Sequence, residues 1–569
     1  MSAQTGRPGI ARPQPSSRRF DRARIQLHRL TSDPNPVWLR ELRQSARLMR
    51  TPIILAVVTS IMTLLMASIG GVASVTAEPA KVGVALYHTF FSLAFFVVTW
   101  VAPAVAANSI SAERGGRTWE ALLLTGLGSS IIARGKFMAS LTYIGMYIVM
   151  LAPVGALPFV FGGVTAVEVI TGFALLFLFA GLSVAFGLSM SSAFNSPAVA
   201  IVVTLLVAIP LSLIAYLALG VGLAAAAHGV WPAVPAWAPV WLPTAYARAD
   251  FGSEFVAYLL LTPLVATLLP AWFFYELTTA NMASASDDRS SGLRHWIAVC
   301  VPLTAAGLTG LTFATGGQWT MAAWGVAITA VVLLVITFVI AGEPLGPSRR
   351  VRVHWERGRA GPIRRFFGPG ILRAATLVLV LGLLGLALQT GLGAVAIAAR
   401  AGSGAADDVA RVLFTGMHLA GFHVFLVGFT AFCRARSKTG ATPRLLLLGA
   451  LFLAVVGPWI VMAIGGVVTK GHDAIFVLAA PSPTYVPLVV YDWIGKSRSG
   501  LDLVLLAGAT CAVGWAVLGF GLLGAAGVRT RRVVNEHRRT LAKVETMLAQ
   551  EEATTASADP DEPEPEPAA

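Results

Sequence analysis

Residues 85–107 read ALYHTFFSLAFFVVTWVAPAVAA, an unbroken run without a Lys, Arg, Asp or Glu. A helix needs about 20 apolar residues to cross the hydrocarbon core of a bilayer. A chain there can satisfy its own backbone only as a helix or a closed barrel. The run therefore predicts a membrane-spanning helix. Working outward, runs of similar length lie near 52–75, 138–162, 166–190, 197–222 and 256–278. Six more follow near 296–316, 320–342, 371–395, 409–432, 444–468 and 501–526. The expectation is an all-α integral membrane protein of about twelve transmembrane helices.

Composition agrees. Of 569 residues, 56% are hydrophobic and 12% charged, whereas about a quarter are charged in a soluble domain. The net charge of +14 would suggest a nucleic-acid partner in a soluble protein. Here no nucleic acid is expected, because basic residues collect in the cytoplasmic loops of membrane proteins. With the N-terminus inside, 35 of the 42 Lys and Arg residues fall in cytoplasmic segments. The other 7 are Lys81, Arg248, Arg400, Arg411, Lys470, Lys496 and Arg498. That bias places both termini in the cytoplasm. The first apolar run starts after some fifty polar residues, so no cleavable signal peptide is expected.

The two sets of six helices run parallel in spacing, with corresponding starts roughly 235–245 residues apart. Their long external segments share a motif, Trp241-Leu242-Pro243-Thr244-Ala245-Tyr246 against Ala480-Pro481-Ser482-Pro483-Thr484-Tyr485. An even number of helices per half gives two halves of the same orientation, either as a duplication or by coincidence of spacing. The organisation is then a basic N-terminal segment (1–34), an amphipathic segment (35–51) and a first six-helix unit (52–280). A linker (281–295), a second unit (296–526), a basic helix (527–551) and an acidic Pro-rich tail (552–569) follow. The tail, with its alternating Pro and acid, cannot pack.

Two polar segments stand out. Residues 35–50 read NPVWLRELRQSARLMR. On a helical wheel Trp38, Leu42, Ser45 and Met49 fall together, opposite Arg40, Arg43, Arg47 and Arg50. Asn35-Pro36 is a helix start signal, and such a helix would lie among lipid headgroups. Residues 108–137 read NSISAERGGRTWEALLLTGLGSSIIARGKF. Glu113, Arg114, Arg117, Thr118 and Glu120 precede the apolar Ala121-Leu122-Leu123-Leu124. Gly126 and Gly128 break the pattern before Arg134-Gly135-Lys136. The segment predicts a cytoplasmic helix–turn–helix lying against the membrane.

Both segments resemble a family. Asn35-Pro36 with Arg40-Glu41-Leu42-Arg43, and Ala112-Glu113-Arg114 with Thr118-Trp119-Glu120-Ala121-Leu122-Leu123-Leu124-Thr125 and Gly135-Lys136, are similar to the membrane subunits of type-2 ABC exporters. The resemblance covers residues 35–280 and is faint beyond. It implies a permease of the bacterial inner membrane with six helices per transport unit. Residues 36–50, with Trp38, Arg40, Glu41, Arg43 and Arg47, would form an in-plane elbow helix. A coupling segment carrying Glu113, Arg114, Thr118, Trp119, Glu120 and Lys136 would dock on a separate ATPase subunit, itself a dimer that holds the ATP and Mg. The pore would be a homodimer or a pseudo-dimer within one chain. Gly115 and Arg117 stand where the family often has an acid and a Gly. The loop at 343–370 keeps the basic charge of its counterpart but not the pattern.

No catalytic, cofactor or metal site is expected in the chain. Gly495-Lys496-Ser497 imitates the end of a P-loop, but Val490 stands where the first Gly belongs. Glu168 and Glu276 lie near helix ends, where they can reach water. His418 and His423 are expected to be neutral and hydrogen-bonded, facing different directions. Cys300, Cys433 and Cys511 show no disulfide or zinc spacing. The alternatives are a secondary transporter of the major facilitator type, whose acidic-Arg-x-Gly-Arg loop Glu113-Arg114-Gly115-Gly116-Arg117 imitates, and a membrane-embedded transferase.

Overall fold

The computed structural model describes residues 34–46, 50–284, 286–314, 316–358, 361–400, 404–469, 473–492 and 498–558. Among them the chain is helical, with no strand. Twelve helices are long and apolar enough to cross a membrane. They coincide with the twelve apolar runs, so the chain is a multi-pass membrane protein. Its contacts divide it at Ala283–Ser284 into two units, each with six spans.

In the first unit the fourth span, Ala166–Ala193, is central and packs on the second, Pro79–Gly115, and on the sixth, within Phe255–Met282. Lipid tails are as apolar as Leu, so helices in a bilayer gain by close packing, and small residues allow it. At Gly187 a Cβ would lie 2.3 Å from the Pro103 carbonyl oxygen. Phe90, Phe91 and Phe173 pack with ring centroids 5.1 to 5.9 Å apart. The Ser191 hydroxyl oxygen accepts from the Ile110 and Ser111 amides, each at 2.9 Å.

In the second unit the tenth span, Ala405–Arg436, packs on the twelfth, the ninth and the eighth. Its crossing with the twelfth is closer still. A Cβ on Gly428 would lie 2.0 Å from the Gly519 carbonyl oxygen.

The spans differ from the sequence expectation at their polar ends. The second helix runs on to Gly115 and the third begins at Ser129. Residues 108–115 and 129–137 are therefore parts of spans and not a separate helix–turn–helix. The connection shrinks to 116–128 and holds one short helix, Trp119–Leu124. Helical hydrogen bonding continues through charged residues once a span has started, and hydropathy cannot see that. For the same reason the basic segment 527–551 continues the last span in one helix, Arg498–Ala558.

The 231–261 segment of the first unit has a packed interior. Trp231, Pro243, Thr244 and Ala245 are buried, whereas Trp237 and Phe251 are presented outward. One π-helical stretch, Tyr216–Gly222, precedes it and another, Phe255–Leu261, closes it, and the Tyr246 hydroxyl donates to the Leu259 carbonyl. The related element of the second unit is likewise buried at Ser482 and Tyr485. Arg47, the tail at 559–569 and Gly495-Lys496-Ser497 lie outside the described residues.

Candidate functional site

The site forms where the elbow helix meets the ends of the second and third spans. The elbow runs Pro36–Ala46. Asn35 sets it in place: its side-chain oxygen accepts from the Val37 amide at 3.0 Å, and its amide nitrogen donates to the Ile131 carbonyl at 2.8 Å. Gly135 lets the elbow approach, since a Cβ there would lie 2.6 Å from the Asn35 oxygen. Val37 is the buried anchor. The docking face is thus Asn35, Val37 and Glu41; Trp38 and Leu42, which the helical wheel grouped opposite the arginines, are half-buried, and Arg43 is exposed.

Behind the elbow lies a network of two cations and two carboxylates. The Lys136 side chain is fully buried, and its Nζ lies 3.1 Å from both Glu41 and Glu113. The same ammonium donates to the Ser109 carbonyl at 3.2 Å and to the Ser109 hydroxyl oxygen at 3.3 Å. Arg40 pairs with Glu41 at 2.9 Å and, more closely, with Glu113. An ammonium this deep is tolerable only with such partners. Burial works to raise the Glu41 carboxyl, but the Lys136 charge, helped by Arg40, holds it below the usual carboxylate range.

Arg114 faces the other way. It donates to the Ser192 carbonyl at 2.5 Å and to the Asn281 carbonyl at 3.3 Å, joining the second span to the fourth and sixth. Its guanidinium sits 5.2 Å above the Trp119 ring. The base of the 116–128 loop is fixed in this way to four spans and the elbow.

The tip is presented outward. Arg117 adopts a left-handed backbone, φ 57°, and turns the chain so that the Thr118 amide and hydroxyl both donate to the Glu113 carbonyl, at 3.0 and 3.3 Å. Thr118 and Glu120 are exposed, and Leu122 points into the core. Leu124 is 88% exposed. Of the residues singled out by sequence, Arg40, Glu41, Glu113 and Lys136 come together as an internal clamp. Thr118 and Glu120 form the outer surface. Glu113 is 14% exposed and already paired with Lys136, so it shapes the loop from within. Leu124 was legible only as the end of the apolar run Ala121-Leu122-Leu123-Leu124, which does not show which leucine is presented.

The second unit has a different clamp, which sequence reasoning missed. Arg294, placed in the linker by sequence, is fully buried in the first turn of the seventh span. It pairs with Glu343 at 3.3 Å, and Glu343 also accepts from the Ser290 hydroxyl at 2.7 Å. The signal was that both charges lie within a turn of a span end.

The remaining groups are accounted for locally. Glu168 is buried and does not reach water: it accepts from the Thr165 amide and hydroxyl at 2.6 and 2.9 Å and lies 3.6 Å from Arg248. Glu276 accepts from the Trp272 indole at 3.0 Å. His418 has one ring nitrogen 2.9 Å from the Gly508 carbonyl and the other 2.8 Å from that of Ser482. A neutral ring can donate at one of these, and only a doubly protonated ring at both. His423 faces the Val378 carbonyl instead, at 3.2 Å, so the two histidines do not share a site. The three cysteines are free, and no metal-binding group occurs among the described residues. Comparison with known proteins finds no matching family model, no matching curated protein and no matching solved structure.

Proposed function

We propose that this chain is the membrane-spanning subunit of an ATP-driven exporter of the type-2 ABC kind, in a bacterial inner membrane with both termini in the cytoplasm. Energy would come from a separate ATPase dimer that holds ATP and Mg, and the chain itself would carry no catalytic residue. The observation that supports this reading is the 116–128 loop, an exposed tip on a clamped base. The tip offers Thr118, Glu120 and Leu124 to a partner. The base is held by Lys136, Glu113, Glu41 and Arg40, and by Arg114 to the fourth and sixth spans.

In this reading ATP binding closes the ATPase dimer and pushes the tip. A soft loop would absorb the push. A base cross-linked at the fully buried Lys136 ammonium moves as one piece with the spans it joins, so the displacement reaches the second, third, fourth and sixth spans together. The elbow moves with them through Lys136. The direction of movement and the substrate follow from the family resemblance only as a class, a molecule carried outward or into the outer leaflet.

The test is purification in mild detergent, with and without nucleotide, followed by transport in proteoliposomes. An ATPase carrying a complete P-loop should accompany the chain, and transport should require ATP. Proton-driven flux without ATP would replace this reading with the major facilitator alternative. Loss of turnover on replacing a single carboxylate in a folded chain would replace it with the transferase.

A further inference from the structure

The loop of the second unit, between the eighth and ninth spans, is built for a different surface. We propose that its short helix Pro362–Phe366 is a docking platform for anionic phospholipid headgroups, with Arg364 and Arg365 binding phosphate and Ile363 and Phe366 entering the acyl border. The inference rests on the membrane-spanning fold alone and stands whether or not an ATPase drives the protein.

Charge comes first. Residues 349–373 contain Arg349, Arg350, Arg352, Arg357, Arg359, Arg364, Arg365 and Arg373, against a single acid, Glu356. Arg349 and Arg350 are answered within the protein, by Glu545 and Asp287, each at 2.7 Å. Among the described residues no carboxylate pairs with Arg357, Arg364 or Arg365. This leaves an exposed cationic strip whose natural complement is an anion.

Depth comes second, and a buried side chain sets it. Arg294, in the first turn of the seventh span, donates to the carbonyls of Phe366 at 3.1 Å and Gly370 at 3.0 Å, and to that of Gly368. His295 stacks on Phe367 with centroids 4.8 Å apart and planes 6° from parallel. The Ile371 amide donates to the Pro344 carbonyl at 2.8 Å. The end of the short helix is therefore fixed at the level where the seventh and ninth spans begin. The charged end of a membrane-spanning helix belongs near the boundary between acyl chains and headgroups.

Side-chain placement comes third. The preceding helix, Arg349–Arg357, turns Val351 and Trp355 into the protein, and Arg373 covers the Trp355 ring at 5.3 Å. The short helix does the opposite. Ile363 is 76% exposed and Phe366 is also exposed, on either side of Arg364 and Arg365. Apolar and basic side chains alternating at the depth of the phosphates match an interfacial helix, and basic residues there attract anionic lipid. A soluble acidic protein would be met by charge alone and would leave Ile363 unexplained.

Two measurements on the full chain test this. Native mass spectrometry after exposure to phosphatidylglycerol or phosphatidylcholine should show preferential retention of the former. The variant R364Q/R365Q should lose at least threefold of that preference, while R349Q/R350Q keeps it. Retention unchanged in R364Q/R365Q overturns the proposal. Separately, Ile363→Cys carrying an environment-sensitive dye, with the parent signal subtracted, is placed in phosphatidylglycerol nanodiscs containing a lipid with a quencher near the headgroup. Strong quenching is expected with all arginines intact. Absence of quenching overturns the proposal.

Discussion

Lys136 and Glu113 meet 3.1 Å apart across the ends of the third and second spans, and the lysine side chain has no contact with solvent. One carboxylate cannot explain such burial. Glu41 from the elbow supplies the second at the same distance, and Arg40 restores neutrality by bridging both. Three chain segments are thereby joined at one ammonium.

Glu113→Gln should destabilise the first unit by about 2 to 4 kcal/mol, because it removes half the compensation of a buried cation. Adding Lys136→Met should recover a large part of that loss, since the apolar side chain no longer needs the carboxylate. Thermal denaturation of the four proteins in one detergent checks the cycle. Additive losses would refute the pairing.

Acid should loosen the elbow. The folded Glu41 carboxyl titrates below its ordinary value of 4.5, so its contribution is complete above that value and is lost as pH falls through the depressed one. Melting temperature measured from pH 7 down to pH 4 should begin to fall toward the acid end. The fall should be shallower in Glu41→Gln. Equal slopes in the two proteins would show that Glu41 is not coupled to Lys136.

Arg117 holds a backbone conformation that costs little for Gly and about 1 kcal/mol or more for other residues. Arg117→Gly should therefore keep or raise stability by about 0.5 to 1 kcal/mol, and Arg117→Val should lower it by a similar amount. Melts of the two variants give the order directly.

Gly428→Ala should be among the most damaging single changes in the second unit, on the order of 2–3 kcal/mol, because the tenth and twelfth spans must separate to admit a methyl group. Gly524→Ala, with open space around it, should be neutral. Expression and monodispersity of the two variants decide between them. A tolerated Gly428→Ala would mean that the crossing is looser than the contact distances indicate.

The twelve spans were legible because length and missing charge identify a membrane helix residue by residue. Their polar ends were not. Residues 108–115 and 129–137 read by composition as parts of a separate cytoplasmic helix–turn–helix, yet they extend spans, since a started helix continues through charge. Glu113 and Lys136 were singled out as groups of the coupling segment and Glu41 as part of the elbow, but not as partners, because a linear pattern shows what a residue is and not which distant segment satisfies it. Arg294 and Glu343 went unnoticed for the same reason, lying 49 positions apart. Leu124 differs from Leu122 by less than one turn, and only the packing of the fold separates the core leucine from the exposed one.

The most direct measurement replaces Leu124 with Cys, carries a short cross-linker on it, and follows the adduct with purified ATPase partner present. A cross-link to the ATPase should form, Leu124→Glu should abolish both partner binding and ATP-dependent transport, and the Lys136 clamp should survive in that variant. If Leu124→Glu binds and transports like the parent, or if position 124 reacts only with reagents confined to the outside, the tip is not gripped from the cytoplasm and the exporter reading fails.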